Sequence, residues 1–227
     1  MVLAVTFDAF GTIIDTGRDV LIVVVRAALR DAGSGADPEA FLDTWDRYFF
    51  GANYEEFLNL AAVTEDSLAK AFVEYGIEAD TGPYVEMLER EWMRAKPYPE
   101  VLGVLAALDG VRTGVVSNAD DAFLKGILAR NGLRFDVVVT SEAARCYKPR
   151  PRIFEIALEA LGTRPGEVLH VGDSLGADVA GAARLGMRTA WVNRSGVRRG
   201  PGDPTPDFVV PDLASVPEIV RTLATPA

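Results

Sequence analysis

Four apolar runs, each closed by a short polar tip, limit most strongly how this chain can fold. Residues 4–7 run into Asp8, 111–116 into Ser117-Asn118, 135–139 into Thr140-Ser141, and 167–171 into Gly172-Asp173-Ser174. A strand buried on both faces reads as a continuous hydrophobic run, and such runs alternating with helical spacing indicate a parallel sheet flanked by helices. Residues 123–131, 151–161 and 178–185 have the composition of the intervening helices, and Gly132 and Gly162 stand as stop signals after the first two. Two further short strands are expected at 187–192 and 208–210, with an amphipathic helix near 216–223. The reading is an α/β fold with a Rossmann-like parallel sheet.

The rhythm is interrupted after the first strand. Residues 19–30 have helical apolar spacing and end at Gly33-Ser34-Gly35, and Asp37-Pro38-Glu39 opens the next helix. From 38 to 96 there is almost no β-branched alternation, while Phe41, Leu42, Trp45, Tyr48, Phe49, Leu68, Phe72, Leu88 and Trp92 supply a helical core. Breaks at Gly51-Ala52-Asn53 and between Gly76 and Pro83 suggest a small bundle of about four helices. Lys96-Pro97-Tyr98-Pro99 looks like the return hinge. The expected organisation is a core domain of residues 1–16 and 97–227, with an all-helical domain, 17–96, inserted in it.

A chain of 227 residues with 49% hydrophobic content can bury one substantial core and a satellite. The 33 acids against 23 bases give a net charge of −10 and no basic cluster, which argues against a nucleic-acid partner. The apolar stretch 21–25 is bracketed by Arg18 and Arg26, far short of the ~20 residues of a membrane span. A soluble cytoplasmic protein is expected. Cys146 and His170 are the only residues of their kinds, so neither an intrachain disulfide nor a site with two histidines can form. No Gly-x-Ser-x-Gly elbow is present. The chemistry must rest on carboxylates.

In open α/β sheets ligands bind beyond the carboxyl ends of the strands. Asp8, Ser117, Asp173 with Asp178, and Lys148 slightly downstream of its strand all fall at that edge. Asp8 alone could be a nucleophile, a metal ligand or a turn cap, and the motif around it favours function over the cap. Taken together, Asp8-Ala9-Phe10-Gly11-Thr12, Ser117-Asn118, Lys148-Pro149 and Gly172-Asp173-Ser174-x-x-x-Asp178 resemble, in order, the four motifs of the haloacid dehalogenase superfamily of hydrolases.

That resemblance implies that Asp8 is a nucleophile forming a covalent aspartyl intermediate. It implies that Asp8, the backbone carbonyl of Phe10 and Asp173 hold Mg²⁺, with Asp178 orienting the site from behind. Lys148 would keep Asp8 ionised, Ser117 would donate to the transferring group, Asn118 would contact substrate and Thr12 would fix the Asp8 loop. The insert resembles the family's helical cap, which implies a small anionic substrate; Arg47, Tyr48, Asn53 and Tyr54 are candidate contacts.

One position departs from the phosphatase branch, whose second aspartate stands two residues after the nucleophile. Here that residue is Phe10, and a phenyl ring transfers no proton. The Asp-x-aromatic-Gly-Thr pattern is similar to the 2-haloacid dehalogenase branch, where halide leaves without a proton and no metal is used. That branch holds the substrate carboxylate with an arginine, for which Arg18, Arg26 and Arg47 are candidates. Asp173, however, suits a cation, since two buried carboxylates without one would repel. The expectation is therefore a Mg²⁺-dependent hydrolase of a small phosphate ester; L-2-haloacid dehalogenase and a low-activity regulatory protein of the same fold are the alternatives.

Overall fold

The computed structural model describes residues 2–51 and 56–224. Six strands form one parallel sheet: β1 (Ala4–Phe7), β4 (Arg112–Ser117), β5 (Val137–Thr140), β6 (Val168–Gly172), β7 (Arg188–Val192) and β8 (Phe208–Val210), in the spatial order β5-β4-β1-β6-β7-β8. The α/β expectation holds because β1 and β6 are wholly buried, as continuous apolar strands in the middle of a parallel sheet must be. β1 lies between β4 and β6, so the tips carrying Asp8, Ser117 and Asp173 are neighbours along one edge.

The helix Pro151–Leu161 shows how the sheet is covered. Ile153, Phe154, Ala157, Leu158 and Leu161 recur at helical spacing and pack with Val116, Val139 and Val168. Each fully buried side chain of this size contributes about 1.5–3 kcal/mol relative to exposure. Gly162 ends the helix in the left-handed conformation that glycine adopts without strain.

By contacts the chain divides into two compact units, Met1–Asp15 with Lys96–Ala227, and Thr16–Ala95. The second is all helical: α1 (Arg18–Asp31), α2 (Pro38–Phe50), α3 (Leu60–Glu74) and α4 (Gly82–Trp92). Asp37 caps α2 by accepting from the Ala40 amide, with Pro38 at the first turn; Asn59 caps α3 through the Ala62 amide. The unit's core is made by Val24, Val25, Phe41, Leu42, Trp45, Leu68, Phe72 and Leu88. Of the aromatics assigned to it from sequence, Phe50's neighbour Phe49 is only half-buried.

Two features were not foreseen. Ile14–Asp15 (β2) pairs antiparallel with Lys96–Pro97 (β3), Asp15 opposite Lys96, so the hinge is a two-stranded ribbon belonging to the first unit. The helix expected at 178–185 begins earlier, with a π-helical turn at Leu175–Val179 leading into Ala180–Arg184. Ser174 caps it, accepting from the Ala177 amide, and Asp178 therefore sits inside the first turn. No described helix is long and apolar enough to cross a membrane.

Candidate active site

Asp8 leaves the end of β1 with its amide bonded to the Val171 carbonyl of β6. Its Oδ1 accepts a 2.6 Å hydrogen bond from Lys148 Nζ and a 3.3 Å bond from Ser117 Oγ at the tip of β4. Lys148 spends its remaining donors on Asp178 Oδ1 at 2.7 Å and the Val116 carbonyl at 2.9 Å. All three ammonium protons thus have acceptors, in a place where almost none of the side chain is exposed. Asn118 clasps the backbone of Lys148: its Oδ1 accepts from the Lys148 amide at 2.8 Å, and its Nδ2 faces the Lys148 carbonyl.

Asp178 is equally enclosed. Its Oδ1 also meets His170 Nε2 at 3.1 Å, and its Oδ2 accepts from the Ser174 amide at 3.0 Å. A carboxylate only accepts, so Nε2 carries the proton, and in the neutral ring Nδ1 accepts from the Thr6 hydroxyl at 2.9 Å. Gly172 makes room for this acid, because a Cβ there would lie 2.2 Å from the Asp178 carboxyl carbon.

The charges follow from this packing. Burial alone would deprotonate Lys148, but the adjoining Asp178 and Asp8 carboxylates raise it above its ordinary value. Burial works against ionised Asp178 too, and is outweighed by the Lys148 ammonium and the His170 bond, which hold it well below the usual carboxylate range. For Asp8 burial dominates and pushes the carboxyl up, while Lys148 pulls against it. Among the described residues no cationic side chain is bonded to Asp173. Desolvation, then the charges of Asp8 and Asp178, raise it to about 7. Its carboxylate lies over Gly11, which is in the left-handed region at φ 83°; a Cβ there would stand 2.4 Å from Asp173 Oδ2.

A cation was expected between Asp8 and Asp173. Asp8, Asp173 and Asp178 do bring carboxylate oxygens within 4.8 Å of one another. Both oxygens of Asp178 are already committed, and Lys148 supplies Asp8 with a positive charge, so only Asp8 and Asp173 suit a divalent ion. Thr12 is buried, and its hydroxyl finds no hydrogen-bond partner; the residue is held by its carbonyl instead, which accepts from Arg194. The Phe10 ring leans on Phe123 with centroids 6.3 Å apart.

The contacts proposed from the helical unit are engaged within it. Arg47 donates to both Glu74 oxygens at 2.9 and 2.8 Å, and the Tyr48 hydroxyl donates to Glu74 at 2.7 Å. Arg18 faces three acids, Glu39, Asp43 and Asp46. Asn53 and Tyr54 lie outside the described residues. Sequence reasoning missed the pairing of Thr6 with His170, although each interrupts an apolar strand and the two are opposite in register. It also missed Arg194 and Trp191, which border a cavity of about 330 Å³ shared with Gly11, Tyr98, Asp173 and Leu175.

The family model for haloacid dehalogenase-like hydrolases matches residues 2–186. The (S)-2-haloacid dehalogenase of Xanthobacter autotrophicus is 30% identical over 99% of this chain and 97% of its own length. Haloacetate dehalogenase H-2 of Moraxella sp. (strain B) is 28% identical over 96% and 97%. The solved L-2-haloacid dehalogenase from Xanthobacter autotrophicus superposes with a TM-score of 0.80 at 29% identity, covering 99% of this chain and all of that one. A second structure of it, with chloropropionic acid covalently bound, gives 0.77 at the same identity and coverage. These relatives overturn the expectation of a Mg²⁺-dependent phosphate-ester hydrolase, which gave Asp173 more weight than Phe10. The physical reason lies at Phe10: it deprives an ester leaving group of its proton, whereas a departing halide needs none. By its four motifs, its sheet order and its match over residues 2–186, the chain belongs to the haloacid dehalogenase-like hydrolases.

Proposed function

We propose that this protein hydrolyses short L-2-haloacids through an ester on Asp8. The observation that carries the reading is the buried Asp8–Lys148 pair at 2.6 Å, with a phenyl ring instead of a second acid two residues beyond the nucleophile. A side chain able to displace is kept beside a cation, and the residue two positions on carries no proton to give. The nearly full-length similarity to dehalogenases supports the same conclusion.

In the first step the Asp8 carboxylate attacks C2 of the haloacid, a C–O bond forms, and the halide departs with the C–X electron pair. In the second, water attacks the Asp8 carboxyl carbon and the Cγ–O bond to the substrate breaks. The 2-hydroxyacid leaves with a proton and Asp8 is restored. Lys148 and Ser117, both on Oδ1, stabilise the negative charge that builds there during hydrolysis. Mg²⁺, if bound, would be held by Asp8 and Asp173 and would neutralise charge between them. The first step does not need it, because the departing halide is already a stable anion.

Water must lose a proton in the second step. Asp178 is a poor acceptor, with both oxygens bonded and its proton affinity suppressed. Asp173, raised to about 7 and exposed at the site, is the suitable one. Asp173→Asn is therefore expected to release about one halide per enzyme in a burst and then stall, with turnover reduced by about 10²–10⁴-fold. In the unchanged protein, turnover should rise with pH through about 7 as Asp173 loses its proton. Rapid-quench halide assays across pH measure both.

The test of the whole reading is incubation with L-2-chloropropionate with and without EDTA. Chloride release in both arms is expected, together with a quenched adduct whose mass increase equals the acid less hydrogen chloride and whose peptide contains Asp8. No chloride and no adduct would dismiss the proposal.

A further inference from the structure

Arg194 stands two residues past the end of β7, yet it reaches the loop after β1, 183 positions away in sequence. Its Nη2 donates to the Thr12 carbonyl at 2.9 Å and to Glu100 Oε1 at 2.7 Å, and its Nε points at the Gly11 carbonyl at 3.4 Å. The guanidinium carbon lies 3.5 Å from the centroid of the Tyr98 ring, a cation–π geometry. Tyr98 in turn donates its amide to the Ile13 carbonyl, and Glu100 also accepts from the Leu213 amide. One planar group therefore ties the nucleophile loop to Tyr98 and Glu100, just past the returning strand of the hinge ribbon.

Besides these contacts and the pairing of Ile14 with Pro97, the loop bonds to itself. Gly11, Ile13 and Ile14 donate to Ile14, Ala9 and Ala9 carbonyls respectively, which shapes the turn but does not fix its height above the sheet. That height matters because Gly11 lies directly beneath the Asp173 carboxylate. A shift of the Gly11–Thr12 backbone changes the gap between Asp173 and the ester carbon of Asp8. The charge of Arg194 is matched by Glu100, so the residue is not available as a substrate-carboxylate clamp.

We propose that Arg194 is a positioning residue for the nucleophile loop: its guanidinium, held flat between Tyr98 and Glu100, sets where Gly11 and Thr12 sit beneath Asp173. As a statement about catalysis this rests on the dehalogenase reading; as a statement about the loop it does not. Lysine keeps the charge but offers no planar fork to span the two carbonyls.

The experiment compares the unchanged protein with Arg194→Ala and Arg194→Lys by hydrogen exchange and by chloride release from L-2-chloropropionate. Exchange at the amides of Gly11, Ile13 and Ile14 should accelerate at least tenfold in both variants, while the β1 amides stay protected. The kcat should fall on the order of 10²-fold with KM little changed, the effect of a misplacement of about 1 Å. Ethylguanidine should restore part of the rate to Arg194→Ala. Unchanged exchange in the loop overturns the inference, as does a rate loss that lies in KM alone. If Arg194→Ala fails to fold, Arg194→Lys carries the same outcomes. Silence of the unchanged protein towards haloacids would dismiss the dehalogenase reading while leaving the exchange result to decide the role of Arg194.

Discussion

Asp8→Asn is expected to leave a well-folded protein whose halide release has dropped by on the order of 10⁴-fold or more. The two halves of that result have separate causes. Asparagine keeps the size of the side chain and an oxygen that still accepts from Lys148 Nζ, and Lys148 retains Asp178 and the Val116 carbonyl. Burial already pushes the Asp8 carboxyl towards its neutral form, so a neutral amide removes an ion that the interior holds at a cost. The melting temperature should therefore be unchanged or slightly higher. The amide, however, is a far weaker nucleophile than a carboxylate, and no other acid occupies its place. Calorimetry beside a chloride assay checks both; activity retained in the variant would exclude Asp8 as the nucleophile.

Lys148→Met should do the opposite to stability. It leaves Asp8 and Asp178 facing each other in the interior with their shared cation gone, a type of change that costs about 3–5 kcal/mol. For a chain of this size that corresponds to a fall in melting temperature of about 6–20 °C. Turnover should vanish with it. Adding Asp178→Asn in the same molecule should recover a good part of the stability and none of the activity, because the structural cost lies in the unpaired acid and the chemistry in the lysine. A double-mutant cycle measures that coupling. Independent, additive losses would show that the lysine and Asp178 do not act as a pair.

Much of this arrangement was legible in the chain itself. The strands could be read because a parallel sheet covered on both sides permits only apolar residues, and each polar tip marked where its run ended. Asp8, Ser117, Lys148 and Asp178 meet because β1 lies between β4 and β6, an order that four motifs in sequence foreshadow. Phe10 was read correctly as an obstacle to phosphate chemistry, but Asp173 was given more weight. In the structure Lys148 already balances the other two acids, so the repulsion that seemed to demand a cation is smaller than a count of carboxylates suggests. Arg194 left no local trace at all. Its partners are backbone carbonyls of a distant loop, and carbonyls look the same whatever residue carries them. The π-helical turn at Leu175–Val179 was equally silent, since it is shaped by what Asp178 must reach rather than by propensity.

The ribbon of β2 and β3 has a consequence for how such a chain can change. Asp15 and Lys96 are cross-strand partners, so the excursion Thr16–Ala95 departs and arrives at points only about 5 Å apart. Closing a detour between neighbouring points costs entropy that grows merely as the logarithm of its length. The detour can thus be lengthened, shortened or replaced without re-registering a single strand of the sheet.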